Sequence, residues 1–307
     1  MDSTALALLI AASINAGTPL LLAALGLLIN EKSGVVNLGA EGMMLVAAVL
    51  GFAVAVQTGS ISLGLVAGSV AGMLLAAFFA ALVLGLGTNQ YATGLALSLF
   101  GGGVSAYIGI GYVGNSLKNG KSGIPILENI PFIGPALFQQ HAVVYFAMLL
   151  CAGIAWFLYK SRAGLILRAV GESPSSAHAL GYSVNQIRFL SLLFGGACCG
   201  LAGAYLSLVY TPLWVEGMVA GRGWIALALT TFASWRPVRI LLGAYLFGSV
   251  TILSFHAQGM GVPIASQLLA MLPYVATIIV LVLISRNANY IKLNMPASLG
   301  KNFDAGR

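Results

Sequence analysis

Gly34-Val-Val-Asn-Leu-Gly-Ala-Glu-Gly-Met-Met-Leu45 places a carboxylate, Glu41, inside an otherwise apolar run. Three glycines (Gly34, Gly39 and Gly42) and Asn37 interrupt what would be a plain hydrophobic helix. A carboxylate at membrane depth costs about 3 kcal/mol or more unless it is paired or wetted. Irregular backbone there is tolerated only where protein or a water-filled cavity surrounds it. The stretch therefore reads as the start of a broken helix lining a path.

Composition supports that reading. The chain has 307 residues, of which 59% are hydrophobic and 7% charged. Soluble domains carry about 25% charged residues, so this chain could not cover a water-facing globule. Short alternating segments of the outer-membrane barrel type are absent. The apolar blocks have the length that crosses a bilayer as helix. The fold expected is an all-α polytopic membrane protein with about 8–10 transmembrane helices, including broken or half helices, in one transmembrane domain over 1–307. The net charge of +7 fits basic loops facing the cytoplasm rather than nucleic-acid binding.

The blocks fall at 4–29, 37–57, 61–86, 91–112, 141–159, 188–210, 223–233, 240–258 and 267–285. Block 223–233 is too short to cross ~30 Å and reads as a half-helix. Asp2 stands where a signal peptide would carry basic residues, so no cleavable leader is expected. Lys32, Lys160, Arg162, Arg168, Arg188, Arg236, Arg239 and the tail 286–307 fall on one side if the spans alternate. Lys118, Lys121 and Arg222 fall on the other. The basic-rich side is the cytoplasmic one, which puts the N-terminus outside and the tail inside. The segment 112–140 is then an outward loop, and 160–187 a cytoplasmic one.

Gly64, Gly68 and Gly72 recur at every fourth residue, as do Gly196, Gly200 and Ala204. That spacing lets helix backbones approach closely, either within one protomer or at a dimer seam. Cys151, Cys198 and Cys199 all lie in apolar blocks, so neither a disulfide framework nor a zinc site is suggested. There is no G-x-x-x-x-G-K-[ST] phosphate cradle. His141, His178 and His256 are scattered, so no catalytic residues and no metal site are expected.

Within 160–187, Ser173 can cap a short helix begun by Pro174 and ended by Gly181. Its exposed face would be small: Ser175, Ser176, Ala177 and Ala179. Such a helix suits insertion into a groove on another protein. Candidate path residues are the polar ones within apolar blocks: Asn37, Glu41, Asn89, Gln90, Thr93, Ser98, Arg222 and, among the aromatics, Trp224. Asn37 could equally be only a helix cap.

Several of these stretches together bring a resemblance. Gly34–Leu45, Leu167-Arg-Ala-Val-Gly-Glu172 and Ala177-x-x-x-Gly181 resemble the permease subunits of ABC importers for branched-chain amino acids, ribose-like sugars and nucleosides. Asn89–Leu97, Gly221–Ala228 and Ser266–Pro273 resemble the simple-sugar/nucleoside branch, and the tail Ala297–Phe303 looks like the nucleoside side of it. The resemblance implies a subunit that binds no cofactor of its own, with ATP and Mg held by a partner ATPase. It also implies a second, longer permease subunit, an extracytoplasmic substrate-binding protein, and residence in a prokaryotic inner membrane. Arg168, Gly171, Glu172, Ser173, Pro174, Ala177 and Gly181 would be the segment gripped by the ATPase. This chain departs from the wider importer signature in one respect, because Ser-Pro-Ser-Ser separates Glu172 from Ala177. The competing class is a secondary transporter or channel for a small polar solute, working without ATP.

Gly39-Ala-Glu-Gly-Met43 has a counterpart in Ala220-Gly-Arg-Gly-Trp224, as equivalent positions of an inverted repeat would. On that basis Glu41 and Arg222 are expected near a central axis, neutralising each other directly or through polar neighbours.

Overall fold

The computed structural model describes residues 3–117, 132–260, isolated positions between 268 and 282, and 294–303. Lys118, Lys121, Glu128 and most of the expected span 267–285 lie outside the described residues, as does the match at Ser266–Pro273 except at isolated positions.

The chain forms α1 (Ser3–Lys32), α2 (Ala40–Thr58), α3 (Ile61–Ala80, continued by a π turn to Gly85) and α4 (Gln90–Gly109). It continues with α5 (Ala142–Lys160), α6 (Arg162–Glu172), α7 (Pro174–Ala179) and α8 (Val184–Tyr205, with a π turn to Tyr210). The last two described helices are α9 (Arg222–Phe232) and α10 (Pro237–Gly259). Among the described residues, seven helices are long and apolar enough to cross a membrane: α1 to α5, α8 and α10. With 11 residues, α9 is the expected half-helix, since at 1.5 Å per residue it spans about 16 Å. This is a multi-pass all-α membrane protein.

Burial ranks the helices. In α2 and α8, 72% of the apolar window is buried, against 28–39% in α3, α4, α5 and α10. So α2 and α8 form the centre, with α1 beside them, and the other four present broad apolar faces outward. A lipid-facing helix keeps apolar residues all round, which is why Leu74, Leu99, Tyr107 and Leu149 stand exposed.

The two small-residue ladders meet each other. A Cβ added at Gly72 would lie 2.6 Å from the Gly200 Cα, and one added at Gly196 would lie 2.6 Å from the Gly72 carbonyl. Ser69 Oγ donates to the Ala197 carbonyl across the same contact at 3.1 Å. The ladders therefore serve packing within one chain, between α3 and α8 and, at Gly64 and Gly68, between α3 and α2. All three cysteines are free and buried.

The segment 160–187 is largely helical. Ser161 caps α6 through the Gly164 N–H (2.9 Å). Ser173 Oγ then accepts the Ser176 N–H at the start of α7 (3.3 Å), and Pro174 occupies its first turn. Gly181 follows with φ +88°. Start, proline and left-handed glycine all fall where the sequence places them.

One residue of the expected docking face is corrected. Ala177 is 2% exposed, packed with Val170 and Val184 and against Phe303. At the spacing of a helical turn it shares the inward face, so the outward face of α7 consists of Ser175, Ser176, His178 and Ala179.

Candidate functional site

The interrupted stretch at 33–39 enters beneath the centre of the bundle and delivers Glu41 in the first turn of α2. Gly34 carries φ +93°, a conformation open to glycine. Asn37 Oδ1 accepts the Gly39 N–H at 3.0 Å, an Asx turn that aims the chain into α2. Gly42 and Gly101 let α4 press on this turn, since a Cβ on Gly101 would lie 2.6 Å from the Gly42 Cα.

Glu41 is 9% exposed. Its Oε1 accepts the Gly221 N–H at 2.8 Å and its Oε2 accepts the Gly223 N–H at 2.7 Å. Those donors belong to the N-terminus of α9, where Ala220 and Gly221 take φ of +51° and +79° and turn successive N–H groups toward one acceptor. The carboxylate thus lies in the first turn of one helix and caps another. Each N-terminus carries roughly +0.5 of a charge, so the two helix ends together offset one carboxylate in a place where water cannot.

Of the two routes expected, a direct contact between the Glu41 and Arg222 side chains is not the one seen. Arg222 Nη1 donates to the Met218 and Val219 carbonyls (3.1 and 3.2 Å), and its guanidinium lies 5.7 Å from the Tyr210 ring centre. Glu41 binds the backbone on either side of Arg222 instead, because a helix N-terminus offers fixed donors with no side-chain entropy to lose.

The far end of α9 is held by a residue the sequence reading passed over. Glu31, 3% exposed at the end of α1, accepts the Thr230 hydroxyl at 2.7 Å and the Trp235 indole N–H. Ser234 and Trp235 both have positive φ (50° and 53°), an arrangement non-glycine residues adopt only when their surroundings hold them. Glu31 was overlooked because it follows Asn30 and precedes Lys32 at the end of an apolar run, where charges ordinarily meet the membrane surface. The available signal was scarcity, as only seven acidic residues occur in the chain.

The remaining candidates divide. Gln90 accepts the Val36 N–H at 2.9 Å and Ser98 donates to the Leu38 carbonyl at 2.7 Å. With Asn37 and Glu41 they gather on the broken segment, and all four are buried. Asn89 caps α4 by accepting from Tyr91 and Ala92 (3.0 and 3.1 Å), and Thr93 bonds Thr88 (2.9 Å). Both stand apart from the Glu41 group, as does the 37%-exposed Trp224 ring. Among the ATPase-grip candidates, Gly171 is locked against the backbone of Lys32 and the tail. The Arg168 guanidinium lies 5.7 Å from the Tyr159 ring centre, and Glu172 and Gly181 are exposed.

Among the described residues, an all-helical bundle with a broken helix, a clamped half-helix and a capped helical loop is the architecture of a polytopic membrane protein. The chain belongs to the family described as the branched-chain amino acid transport system permease component, whose model matches residues 9–284. It is 40% identical to TsgC13 of Haloferax volcanii, whose name assigns it provisionally as a glucose ABC transporter permease, over 96% of this chain and 97% of that one. It is 32% identical to the nucleoside ABC transporter permease protein NupC of Lactococcus lactis, over 90% and 94% of the two chains. To the guanosine ABC transporter permease protein NupQ of Bacillus subtilis it is 30% identical, over 90% and 91%. No solved structure matches.

Proposed function

We propose that this chain is the transmembrane permease subunit of an ATP-binding-cassette importer in a prokaryotic inner membrane. Its cargo is a neutral, hydroxyl-rich solute, a nucleoside or a simple sugar. The observation that carries this reading is near-full-length similarity to permeases of that transporter type, named for nucleosides and for glucose. The tail resemblance favours a nucleoside, and the 40%-identical relative favours a sugar. Both share the polyhydroxylated ring that amides, hydroxyls and backbone could recognise without a charge.

In this reading a separate ATPase, holding ATP and Mg, grips α7 and the segment from Arg168 to Gly181 on the cytoplasmic side. A second permease completes the pore against the exposed helices, and an extracytoplasmic binding protein delivers the solute. The path runs by the Glu41–α9 junction, with Arg222 and Trp224 nearest to open space. Glu41 acts there as the cap that holds the half-helix rather than as a ligand for cargo. Among the described residues the two buried carboxylates, Glu31 and Glu41, are occupied in holding α9, which weighs against their serving as the titrating groups of a proton-coupled carrier.

Purifying the chain with its neighbouring gene products tests the reading. A nucleotide-binding subunit should co-purify, and uptake of labelled nucleoside or sugar should stop when ATP hydrolysis is blocked. Uptake that persists without hydrolysis would overturn it. A thermal-shift series of nucleosides and sugars on the binding protein decides between the two cargoes.

A further inference from the structure

The described tail, 294–303, is not a loose end. It crosses the face of the bundle where 33–39, the α3–α4 turn, α6 and α7 converge, bonding to the first three and packing on α7. Lys32 Nζ donates to the Asn294 carbonyl (2.7 Å), and the Ser298 N–H and hydroxyl both donate to the Gly171 carbonyl at the end of α6 (3.0 and 2.6 Å). The Gly300 N–H donates to the Gly34 carbonyl (3.0 Å), at the entry to the broken segment. Asn302 donates to the Gly87 and Thr88 carbonyls (2.7 and 3.0 Å) and accepts from Gln90 (3.1 Å), which itself holds Val36. Phe303 then closes on α7, its ring 5.6 Å from the His178 ring in an edge-on arrangement.

Arg188 fastens this crossing. It is fully buried, and its guanidinium donates to the Ser33 carbonyl (3.1 Å), the Lys301 carbonyl (3.1 Å) and the Ser298 hydroxyl (3.2 Å). One rigid fork therefore ties α8, the broken segment and the tail together. A buried charge held only by carbonyls and a hydroxyl is costly to disturb, so these three elements are firmly joined. From α7 to the segment that aims Glu41 there is thus a continuous chain of contacts: His178, Phe303, Lys301 with Arg188, then Ser33 and Gly34.

We propose that the tail 298–303 is a strap that transmits displacement of α7 to the broken segment 33–39, and through it to the Glu41 clamp on α9. Phe303, Asn302 and Arg188 are its positioning residues. The inference rests on the reading of α7 as the ATPase contact. Coupling needs a physically continuous element that both ends bias, and the strap is continuous in backbone as well as in contacts. Without it, α7 would meet the broken segment only through the helices it leans on.

The test uses the whole importer, reconstituted in liposomes with its ATPase and binding protein. Solute uptake and ATP hydrolysis are measured on the same preparation for wild type, Phe303→Ala and Asn302→Ala. Both variants should assemble with wild-type stoichiometry and hydrolyse ATP, while solute moved per ATP falls about fivefold. An unchanged ratio, or failure of the variants to bind the ATPase, overturns the strap. His178→Ala and the double variant with Phe303→Ala supply a second reading. The double should be no worse than the poorer single, and additive losses would show that the ring contact carries no coupling. A wild-type complex that takes up solute without ATP sinks the importer reading itself, whereas an active wild type with unaltered variant ratios sinks only the strap.

Discussion

Glu41 and Glu31 hold opposite ends of one half-helix by different chemistry. Glu41 meets backbone N–H groups at the N-terminus of α9, and Glu31 meets a threonine hydroxyl and a tryptophan indole at its C-terminal end. The first set of donors is part of the main chain, so only proline deletes one and a side chain can disturb it only by crowding. The second set can be deleted one side chain at a time. A half-helix inside a membrane needs both ends satisfied by protein. Glu41 takes the N–H groups at the start of α9, whereas the carbonyls of Leu229, Thr230 and Thr231 at its end are taken by the N–H groups of 233–235 and Glu31 anchors the side chains there. The N-terminal carboxylate is aided by two helix dipoles, and the C-terminal one is not.

The contrast is broken most severely by Glu41→Ala. It strands two buried N–H groups, each costing about 1–3 kcal/mol when left unsatisfied, so the loss should be about 2–6 kcal/mol. Uptake should vanish and the melting temperature of the purified complex should drop. Because the partners of Glu41 are backbone, the reversal Glu41→Arg combined with Arg222→Glu should rescue nothing beyond the single variants. Partial recovery of uptake would restore the direct charge pairing expected from the sequence.

Gly223→Ala comes next. An added Cβ would lie 2.6 Å from the Glu41 backbone N and Cα, and overpacking of that kind costs about 1–3 kcal/mol. Thermal unfolding should show it, whereas an unshifted melting temperature would mean that α2 and α9 can separate freely. Trp235→Phe removes one donor from Glu31 and should cost about 1–3 kcal/mol for the carboxylate left under-bonded. Combining it with Glu31→Gln should give less than the sum of the two losses, and additivity would dissolve the C-terminal clamp. The smallest effect is expected of Arg222→Gln. Its guanidinium serves carbonyls within its own turn, so stability should change by less than about 1 kcal/mol, while any change in uptake would mark a role beside the path.

Much of the architecture was legible because membranes impose length and hydropathy on every span. The short block at 223–233 announced a half-helix. The Ser173–Pro174 start and Gly181 stop announced α7, and the four-residue glycine spacing announced a close contact. That α3 meets α8 was not readable, since small-residue spacing marks a face and not its partner. Glu41 stood out by chemistry, yet its partners did not, because peptide N–H groups are the same at every residue and only the fold brings Gly221 to it. The same reasoning hid Glu31, and it misplaced Ala177, whose small side chain suits either face of a short helix. The tail was informative only as a resemblance. Many of its bonds run to the carbonyls of Gly34, Gly87, Thr88 and Gly171, which no side-chain pattern encodes.

The glycine contact between α3 and α8 has a consequence for how the protein is made. Ser69 and Ala197, which touch across it, are 128 residues apart in the chain. At roughly 5–20 residues per second, α8 leaves the ribosome about 6–26 s after the small-residue face of α3 has been synthesised. During that interval Gly64 and Gly68 can already rest on the Gly51 and Ala47 carbonyls of α2, made before them, whereas Gly72 waits for Gly196 and Gly200. The close contact is therefore completed from one end of α3 to the other, with the α8 side closing last.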